Sequence, residues 1–148
     1  MFLTKTDLRN NIYGYQLHEI TDGNDDIVDL ALAAAEEELR AYFTPNNKKE
    51  WLDGRPHYDV EAIFSATGNN RNPVLVRHGI VIAKWWIVEL ASVDVIYEQA
   101  KERYDRTRQW LQDLAAGKIN LASLPVIDTP VSDSQPFIFG SRKKFRHE

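Results

Sequence analysis

Two short segments contain side chains whose types and spacing suit the binding of a metal ion. The first, residues 22–26, reads Asp-Gly-Asn-Asp-Asp and offers the carboxylate and amide oxygens that calcium prefers. A calcium loop between two helices also needs a bidentate glutamate at its twelfth position, but that position, counted from Asp22, is Ala33. We therefore interpret this segment as a turn that leads into a helix.

The second segment contains His57, Asp59 and Glu61, which alternate along the chain and would share one side of a strand. Together they could bind a metal ion, but no second group of ligands accompanies them. Asp59 is also well placed to cap a helix, which is the interpretation that we prefer. The sequence predicts neither a metal site nor a cofactor.

Catalytic patterns are not recognisable elsewhere in the chain. His18 and His78 lie in partly apolar sequence without a neighbouring nucleophile motif, and we interpret both as structural imidazoles. The chain contains no glycine-rich phosphate loop, no Gly-x-Ser-x-Gly and no His-Glu-x-x-His. We therefore predict that the protein is not an enzyme.

Length and composition predict one domain that folds without covalent cross-links. A chain of 148 residues can bury a sizeable core, and the absence of cysteine excludes disulfides and thiolate metal sites, which suits a reducing cytoplasm. The longest apolar region, residues 74–90, is short for a bilayer and is interrupted by charged side chains, and the amino terminus lacks a signal pattern. Neither membrane insertion nor secretion is predicted.

Charge is unevenly distributed along the chain. Residues 137–148 carry a formal charge of +3, and the chain total of −4 leaves −7 for residues 1–136. An acidic body disfavours a protein that wraps nucleic acid, whereas a short basic terminus suits an acidic neighbour or a phosphate backbone.

The first half of the chain predicts three helices. Thr4 and Asp7 form a capping box for a short helix to about residue 11, and residues 15–20 form a second short helix. Asp25 or Asp26 then caps a long helix to Phe43, which residues 44–47 (Thr-Pro-Asn-Asn) end. One side of this helix is apolar and consists of Val28, Leu32, Ala35, Leu39 and Tyr42.

The segment at 44–72 is longer than an ordinary loop between two helices of a compact domain. We call this segment the excursion. Asp59 caps a short helix through Thr67, which Gly68 ends. Trp51 and Tyr58 supply large aromatic side chains that would anchor the excursion on the body and contribute to an interface.

The second half predicts two antiparallel helices. Asn72 caps and Pro73 begins a helix to about Ala91, which is apolar nearly all round and is therefore the central, buried helix. Its Val, Ile and Trp content also fits a strand with a turn at Gly79, but capping and length favour the helix. After a break at residues 92–94, a helix over 94–116 ends before Gly117 and buries Ile96, Ala100, Tyr104, Thr107, Leu111 and Leu114.

The predicted fold is mainly α: a small helical bundle with a long central helix, an excursion at 44–72 and an extended C-terminal arm. Residues 1–122 form the body and residues 123–148 the arm, where prolines at 125, 130 and 136 favour extended chain. Trp85, Trp86 and Trp110 are interpreted as core residues, with a subunit interface as the alternative.

The arm combines apolar anchors with a basic cluster. Large apolar side chains at 137–139 are costly to expose and precede several cations, so we predict that the arm docks on a neighbour rather than remaining solvated. The predicted docking residues are Phe137, Ile138, Phe139, Arg142, Lys143, Lys144, Phe145 and Arg146.

Four segments carry a resemblance to a known family. Residues 97–121 contain a Tyr-bearing helix with a Trp-Leu pair that runs into Gly-Lys-Ile, and residues 71–76 read Arg-Asn-Pro-Val-Leu-Val. The amino terminus contains Leu-Thr-x-x-Asp-Leu at 3–8, and residues 33–42 form an Ala- and Glu-rich helix. In their order and spacing along the chain, the four segments resemble the Mu-like prophage head-to-tail connector (adaptor) family, especially its Bacteroides-type members. The resemblance covers roughly the whole chain.

The resemblance implies a bacteriophage structural protein in the neck of the virion, assembled in the host bacterial cytoplasm. Such a subunit would form a homo-oligomeric ring between the portal protein and tail or neck proteins, and genomic DNA would pass it without sequence-specific contact. The alternative is a small cytoplasmic regulator that binds nucleic acid through the basic C-terminal tail.

Overall fold

The computed structural model describes residues 1–10, 14–47, 55–91 and 97–127, and this part of the chain contains six α-helices and no strand. They are α1 (Lys5–Arg9), α2 (Gly14–Thr21), α3 (Asp25–Asn47), α4 (Val60–Ser65), α5 (Pro73–Ala91) and α6 (Tyr97–Ala115), with a 3-10 turn at Gly68–Asn70. The mainly α prediction is confirmed. No helix within the described ranges is long and apolar enough to cross a bilayer.

The three longest helices form a bundle in which each packs on the other two, and α1 and α2 also contact α5. Most residues of the predicted apolar sides of α3 and α6 face this core, whereas Ile96 lies outside the described residues. α5 is largely buried, as predicted, and contacts four of the other five helices, but α3 contacts all five and is the more central of the two. The core residues of the bundle include Leu32, Ala35, Leu39, Ile82, Ala83, Ile87, Leu111 and Leu114.

Gly79 lies inside α5 and brings the neighbouring segments close to this helix. A Cβ atom at this position would lie 2.8 Å from one Cδ atom of Leu3 and 3.0 Å from a Cδ atom of Leu39. Because real Cβ contacts are longer, only glycine lets both leucines pack here without a shift. The alternative of a strand with a turn at Gly79 is therefore wrong.

Local capping signals begin α1 and α5 where the sequence predicts. The Thr4 hydroxyl accepts a hydrogen bond from the Asp7 N–H, and the Asp7 carboxylate accepts one from the Thr4 N–H at 2.8 Å, which completes the capping box. Asn72 Oδ1 accepts hydrogen bonds from the N–H groups of Val74 and Leu75 at 3.0 and 3.2 Å. Pro73 is the first helical residue, where its missing N–H is not needed.

Both predicted ends of α3 need correction. Asn24 Oδ1 accepts the Asp26 N–H at 3.0 Å, so Asn24, rather than Asp25 or Asp26, caps the helix. The two aspartates instead occupy the first turn, where the helix dipole favours negative charge. The helix continues beyond Phe43 to Asn47, because Pro45 removes one intrahelical hydrogen bond but has a φ compatible with a helix.

The excursion returns to the body through residues 55–58 and α4. Asp59 Oδ1 accepts the Ala62 N–H at 3.0 Å, which confirms the predicted cap, but α4 ends at Ser65 rather than Thr67. Gly68 has a φ of +57° and begins the 3-10 turn instead of ending the helix. Residues 48–54, including Trp51, lie outside the described residues.

Gly117 ends α6 as predicted, with a φ of +81° that favours glycine. Its N–H donates to the Leu114 carbonyl, and the Arg55 guanidinium donates to the Ala115 carbonyl at 3.0 Å. The chain then turns back, and Leu124 is buried in the core. Hydrogen bonds from the Asp59 N–H to the Pro125 carbonyl and from the Ile127 N–H to the His57 carbonyl, of 2.9 and 2.7 Å, join residues 125–127 to the excursion.

Candidate functional site

Glu38 lies where α3, α5 and α6 meet and connects the three helices. Trp86 on α5 donates its indole N–H to Glu38 Oε2 at 3.1 Å, and Tyr104 on α6 donates its hydroxyl to Oε1 at 2.7 Å. We call Glu38, Trp86 and Tyr104 the Glu38 junction. A carboxylate whose two oxygens each accept a hydrogen bond from a different helix fixes the register of all three helices.

Electrostatics at the Glu38 junction favour a structural role. Burial, followed by the hydrogen bond to Glu38, raises the pKa of Tyr104 well above its ordinary value, so its hydroxyl stays protonated and acts as a donor. The guanidinium of Arg108 lies 5.7 Å from the centroid of the Tyr104 ring. The pKa of Arg108 is raised, mainly by a hydrogen bond with Tyr42. Glu38, Trp86 and Tyr104 therefore satisfy one another's hydrogen bonds across the three helices.

His78 on α5 forms a second polar contact with α6. Its ring stacks on Trp110 with centroids 4.2 Å apart, and its Nδ1 lies 3.1 Å from the Thr107 hydroxyl. Burial, and then the positive charge of Arg77, lowers the pKa of His78 to about 4, so the ring is neutral at pH 7. A histidine beside a hydroxyl can activate a nucleophile, but Thr107 is only 4% exposed and no substrate can reach it. The interpretation of His78 as a structural imidazole fits this contact.

Mild acid is expected to destabilise the protein through His78. The folded chain binds a proton at His78 less readily than the unfolded chain does, because the pKa of His78 is about 4 in the folded chain and 6.5 in the unfolded chain. The folded state is therefore most stable above pH 6.5 and loses stability as pH falls towards 4. Between pH 7.5 and 5, we expect the free energy of unfolding to fall by about 1 kcal/mol, after allowance for solvent screening of a half-exposed ring. Urea titrations at both pH values measure the change.

His78→Gln is the informative variant for this pH effect, because glutamine keeps a polar side chain that does not titrate. It should remove most of the difference between the two pH values, and Arg77→Gln should reduce that difference, since Arg77 contributes to the lowered pKa of His78. An unchanged pH dependence in His78→Gln would assign the acid sensitivity to other groups.

The three residues considered as metal ligands take separate structural roles. Asp59 caps α4, and Glu61 pairs with Arg40 at 3.0 Å while its side chain is 84% exposed. The His57 carbonyl accepts the Ile127 N–H. In the described ranges, no group of three or more histidine, aspartate or glutamate side chains is placed to hold a metal ion.

The three tryptophans of α5 and α6 lie at the edge of the core rather than inside it. Trp86 and Trp110 are half-buried against the core, and Trp85 is half-buried between Tyr97 and Tyr104, with ring centroids 5.2 Å from each. The prediction that they are core residues is therefore wrong in part. Large amphipathic rings can bury one side and keep another at the surface. Among the described aromatic residues, Phe2, Phe43 and Tyr58 are fully buried.

The contacts of Arg71 were also not anticipated from the sequence. Arg71 donates to both carboxylate oxygens of Asp7, at 2.7 and 3.0 Å, and to the carbonyl oxygens of Phe2 at 2.7 Å and Gly68 at 3.0 Å. The hydrogen bonds from Arg71 hold the pKa of Asp7 below its ordinary value. The bidentate pair fixes the amino terminus against the start of α5.

The predicted interface residues fall into two groups. Nine of them lie outside the described residues: Trp51 and the eight docking residues predicted in the arm. Tyr58 is 1% exposed, packs edge-on against Phe43 and accepts the Leu121 N–H at 2.9 Å. It therefore anchors the excursion, as predicted, but its burial keeps it from contacting a neighbouring subunit.

Comparison with protein-family models, curated proteins and solved structures gives no match for this chain. The connector resemblance therefore depends on the four sequence segments.

Proposed function

We propose that the protein is a non-enzymatic head-to-tail connector of a bacteriophage, a ring subunit between the portal and the tail. One observation carries this proposal: the four segments that resemble the connector family lie on or beside α1, α3, α5 and α6 and bond to one another. Arg71 of the second segment binds Asp7 at the amino terminus, and Glu38 binds Tyr104. Contacts of this kind are expected if the segments belong to one inherited folding unit.

Charge also supports the proposal. The chain is acidic outside its last twelve residues, with a formal charge of −7 over residues 1–136. An acidic wall around a DNA channel repels phosphates and lets the genome slide past without a sequence-specific contact. The partners would be further copies of the chain, the portal and tail or neck proteins, and the site of action would be the virion neck.

Mass spectrometry of purified phage particles tests the proposal. A connector should co-purify with the particles at a fixed ratio to the portal protein, and it should remain after nuclease treatment and high-salt washing. A protein that stays in the cell lysate and binds DNA in a salt-sensitive manner would instead be the regulator using its basic tail.

Removal of residues 137–148 is expected to prevent entry into the neck while leaving the body folded. The deletion removes three apolar anchors and four cations but none of the helices from α1 to α6. The circular dichroism spectrum and urea midpoint should be close to those of the full chain, and phage particles should lack both the protein and tails. Normal copy number in particles that carry tails would show that the arm is dispensable.

A charge-reversal variant separates the two parts of the arm. Substitution of Arg142, Lys143, Lys144 and Arg146 by glutamate keeps Phe137, Ile138 and Phe139 and should weaken docking on an acidic neighbour. Added salt should weaken the wild-type contact only in part, because burial of the apolar anchors is not screened.

A further inference from the structure

Residues 57–59 of the excursion and residues 125–127 pair as a short antiparallel ribbon. Tyr58 and Val126 form the bridged pair at its centre. The two hydrogen bonds of the ribbon join the residues that flank this pair rather than the pair itself. In an antiparallel ladder, the N–H and C=O groups of such a pair point away from the partner strand. The backbone groups of Val126 are therefore directed to the outer edge of the ribbon.

The two edges of the ribbon differ in exposure. Tyr58 is 1% exposed and packs against Phe43, so the body covers the edge to which Tyr58 belongs. Val126 is 51% exposed and Ile127 is 48% exposed. The N–H and C=O groups of Val126 form no hydrogen bond with the residues that the structure describes. We call residues 125–127 the open edge.

The open edge can accept a further strand. It offers one unpaired backbone donor and one unpaired acceptor at Val126, and an antiparallel strand can bond to both through a single opposing residue. Val126 and Ile127 also expose apolar side chains directly after Leu124, which is buried in the core. An extended apolar segment would therefore gain both backbone hydrogen bonds and apolar burial at this edge.

The arm supplies a segment of this chemistry. Residues 137–139 read Phe-Ile-Phe, and aromatic and β-branched side chains favour strands. The arm continues directly from the open edge, and nine residues, 128–136, separate the two. If Ile138 lies opposite Val126 in an antiparallel pair, the neighbouring pairs join Phe137 to Ile127 and Phe139 to Pro125. All three cross-strand pairs are then apolar.

We propose that residues 137–139 of one copy add as an antiparallel strand to the open edge of the next copy, with Ile138 opposite Val126. The inference rests on the proposed connector function, which brings a next copy alongside. Each copy gives one strand and receives one through a different surface. Such a contact is heterologous, and its repetition closes a ring when the rotation between copies allows it.

The residues between the open edge and the apolar segment favour a neighbouring copy over the same chain. Tight hairpins use glycine or asparagine at the turn, whereas residues 128–136 contain two prolines and neither of those residues. Prolines stiffen a linker and favour extended chain. Nine extended residues span up to about 30 Å, roughly the diameter of a small domain. The segment can therefore reach an adjacent copy.

Engineered cysteines test the pairing directly, because the chain contains no cysteine of its own. A full-length double variant carries Val126→Cys and Ile138→Cys. The Cα atoms of a hydrogen-bonded antiparallel pair are about 5.5 Å apart, which suits a disulfide. Mild oxidation should give a ladder of cross-linked oligomers on a denaturing gel. The matched control, Leu30→Cys with Ile138→Cys, uses a leucine on α3 that is 61% exposed and should cross-link far less.

Val126→Pro tests the backbone hydrogen bond without a thiol. Proline lacks the N–H that would donate to the incoming strand, and that N–H has no partner among the described residues, so the helix content should stay as in the wild type. Sedimentation equilibrium should show self-association of the full chain that this variant weakens about tenfold. Val126→Thr keeps the N–H and the β-branched shape and should associate nearly as the wild type does.

The outcomes separate this inference from its competitors. The inference is overturned if the double variant forms internal disulfides in monomers, if the Leu30 control cross-links equally, or if Val126→Pro associates as the wild type does. Phage particles that contain the double variant at a normal ratio to the portal, but without the cross-link after oxidation, would refute the pairing and leave the connector function intact. Cross-linked ladders of a protein that is missing from phage particles would support the pairing and refute the connector function.

Discussion

Arg71→Ala is expected to destabilise the fold by about 3–5 kcal/mol, the range for removing one partner of a buried ion pair. The guanidinium satisfies both carboxylate oxygens of Asp7 and the carbonyls of Phe2 and Gly68, and the side chains of Arg71 and Asp7 are 14% and 11% exposed. Alanine would leave a largely buried carboxylate without its cation. Urea denaturation at pH 7, followed by circular dichroism, measures the loss.

Two comparisons make the Arg71 result specific. Arg71→Lys keeps the charge but loses the fork that binds two oxygens at once, so an intermediate loss is expected. Arg106→Ala removes an exposed pair with Glu102 and should cost about 0.5 kcal/mol or less. Because the pKa of Asp7 is lowered in the folded chain, the effect of Arg71→Ala should diminish as pH falls below 4. Equal losses for Arg71→Ala and Arg106→Ala would contradict the importance of the buried pair.

Phe43→Ala is also expected to destabilise the fold by about 3–5 kcal/mol, as for other fully buried aromatic side chains. Phe43 is 0% exposed and packs edge-on against Tyr58 and Phe64, with ring centroids 5.5 and 5.7 Å away. The cavity would lie under the excursion, next to Tyr58 and the Phe64 ring of α4. Hydrogen exchange at the Asp59 and Ile127 amides should therefore accelerate, since Tyr58 holds this region on the body.

Phe43→Leu provides the matched control, because leucine keeps much of the apolar volume. A loss of about 1–1.5 kcal/mol is expected for this milder change. If Phe43→Ala and Phe43→Leu were equally stable, the site would be able to collapse around the missing ring, and Phe43 would not be the link between α3 and the excursion.

Features encoded within a few residues were predictable from the sequence. Thr4, Asp59 and Asn72 cap helices because a side-chain oxygen needs only the backbone N–H groups two or three residues later. Apolar spacing likewise placed the buried sides of α3 and α6. The sequence predicts that α3 ends before Pro45, but the helix continues to Asn47, because the φ that proline imposes is compatible with a helix.

Contacts between distant residues were not predictable. Arg71 and Asp7 are 64 residues apart, and Glu38 is separated from Tyr104 by 66 residues, so no local pattern indicates either pair. Hydrophobicity predicts core positions for Trp85, Trp86 and Trp110, but their positions depend on hydrogen bonding and stacking across three helices.

Electron micrographs of the full chain mixed with the portal ring of its phage test the connector proposal most directly. The proposal predicts closed rings of this protein seated on the portal, with one symmetry and with DNA passing through the centre. Monomers that leave the portal bare, while the same preparation binds DNA in a salt-sensitive manner, would contradict it.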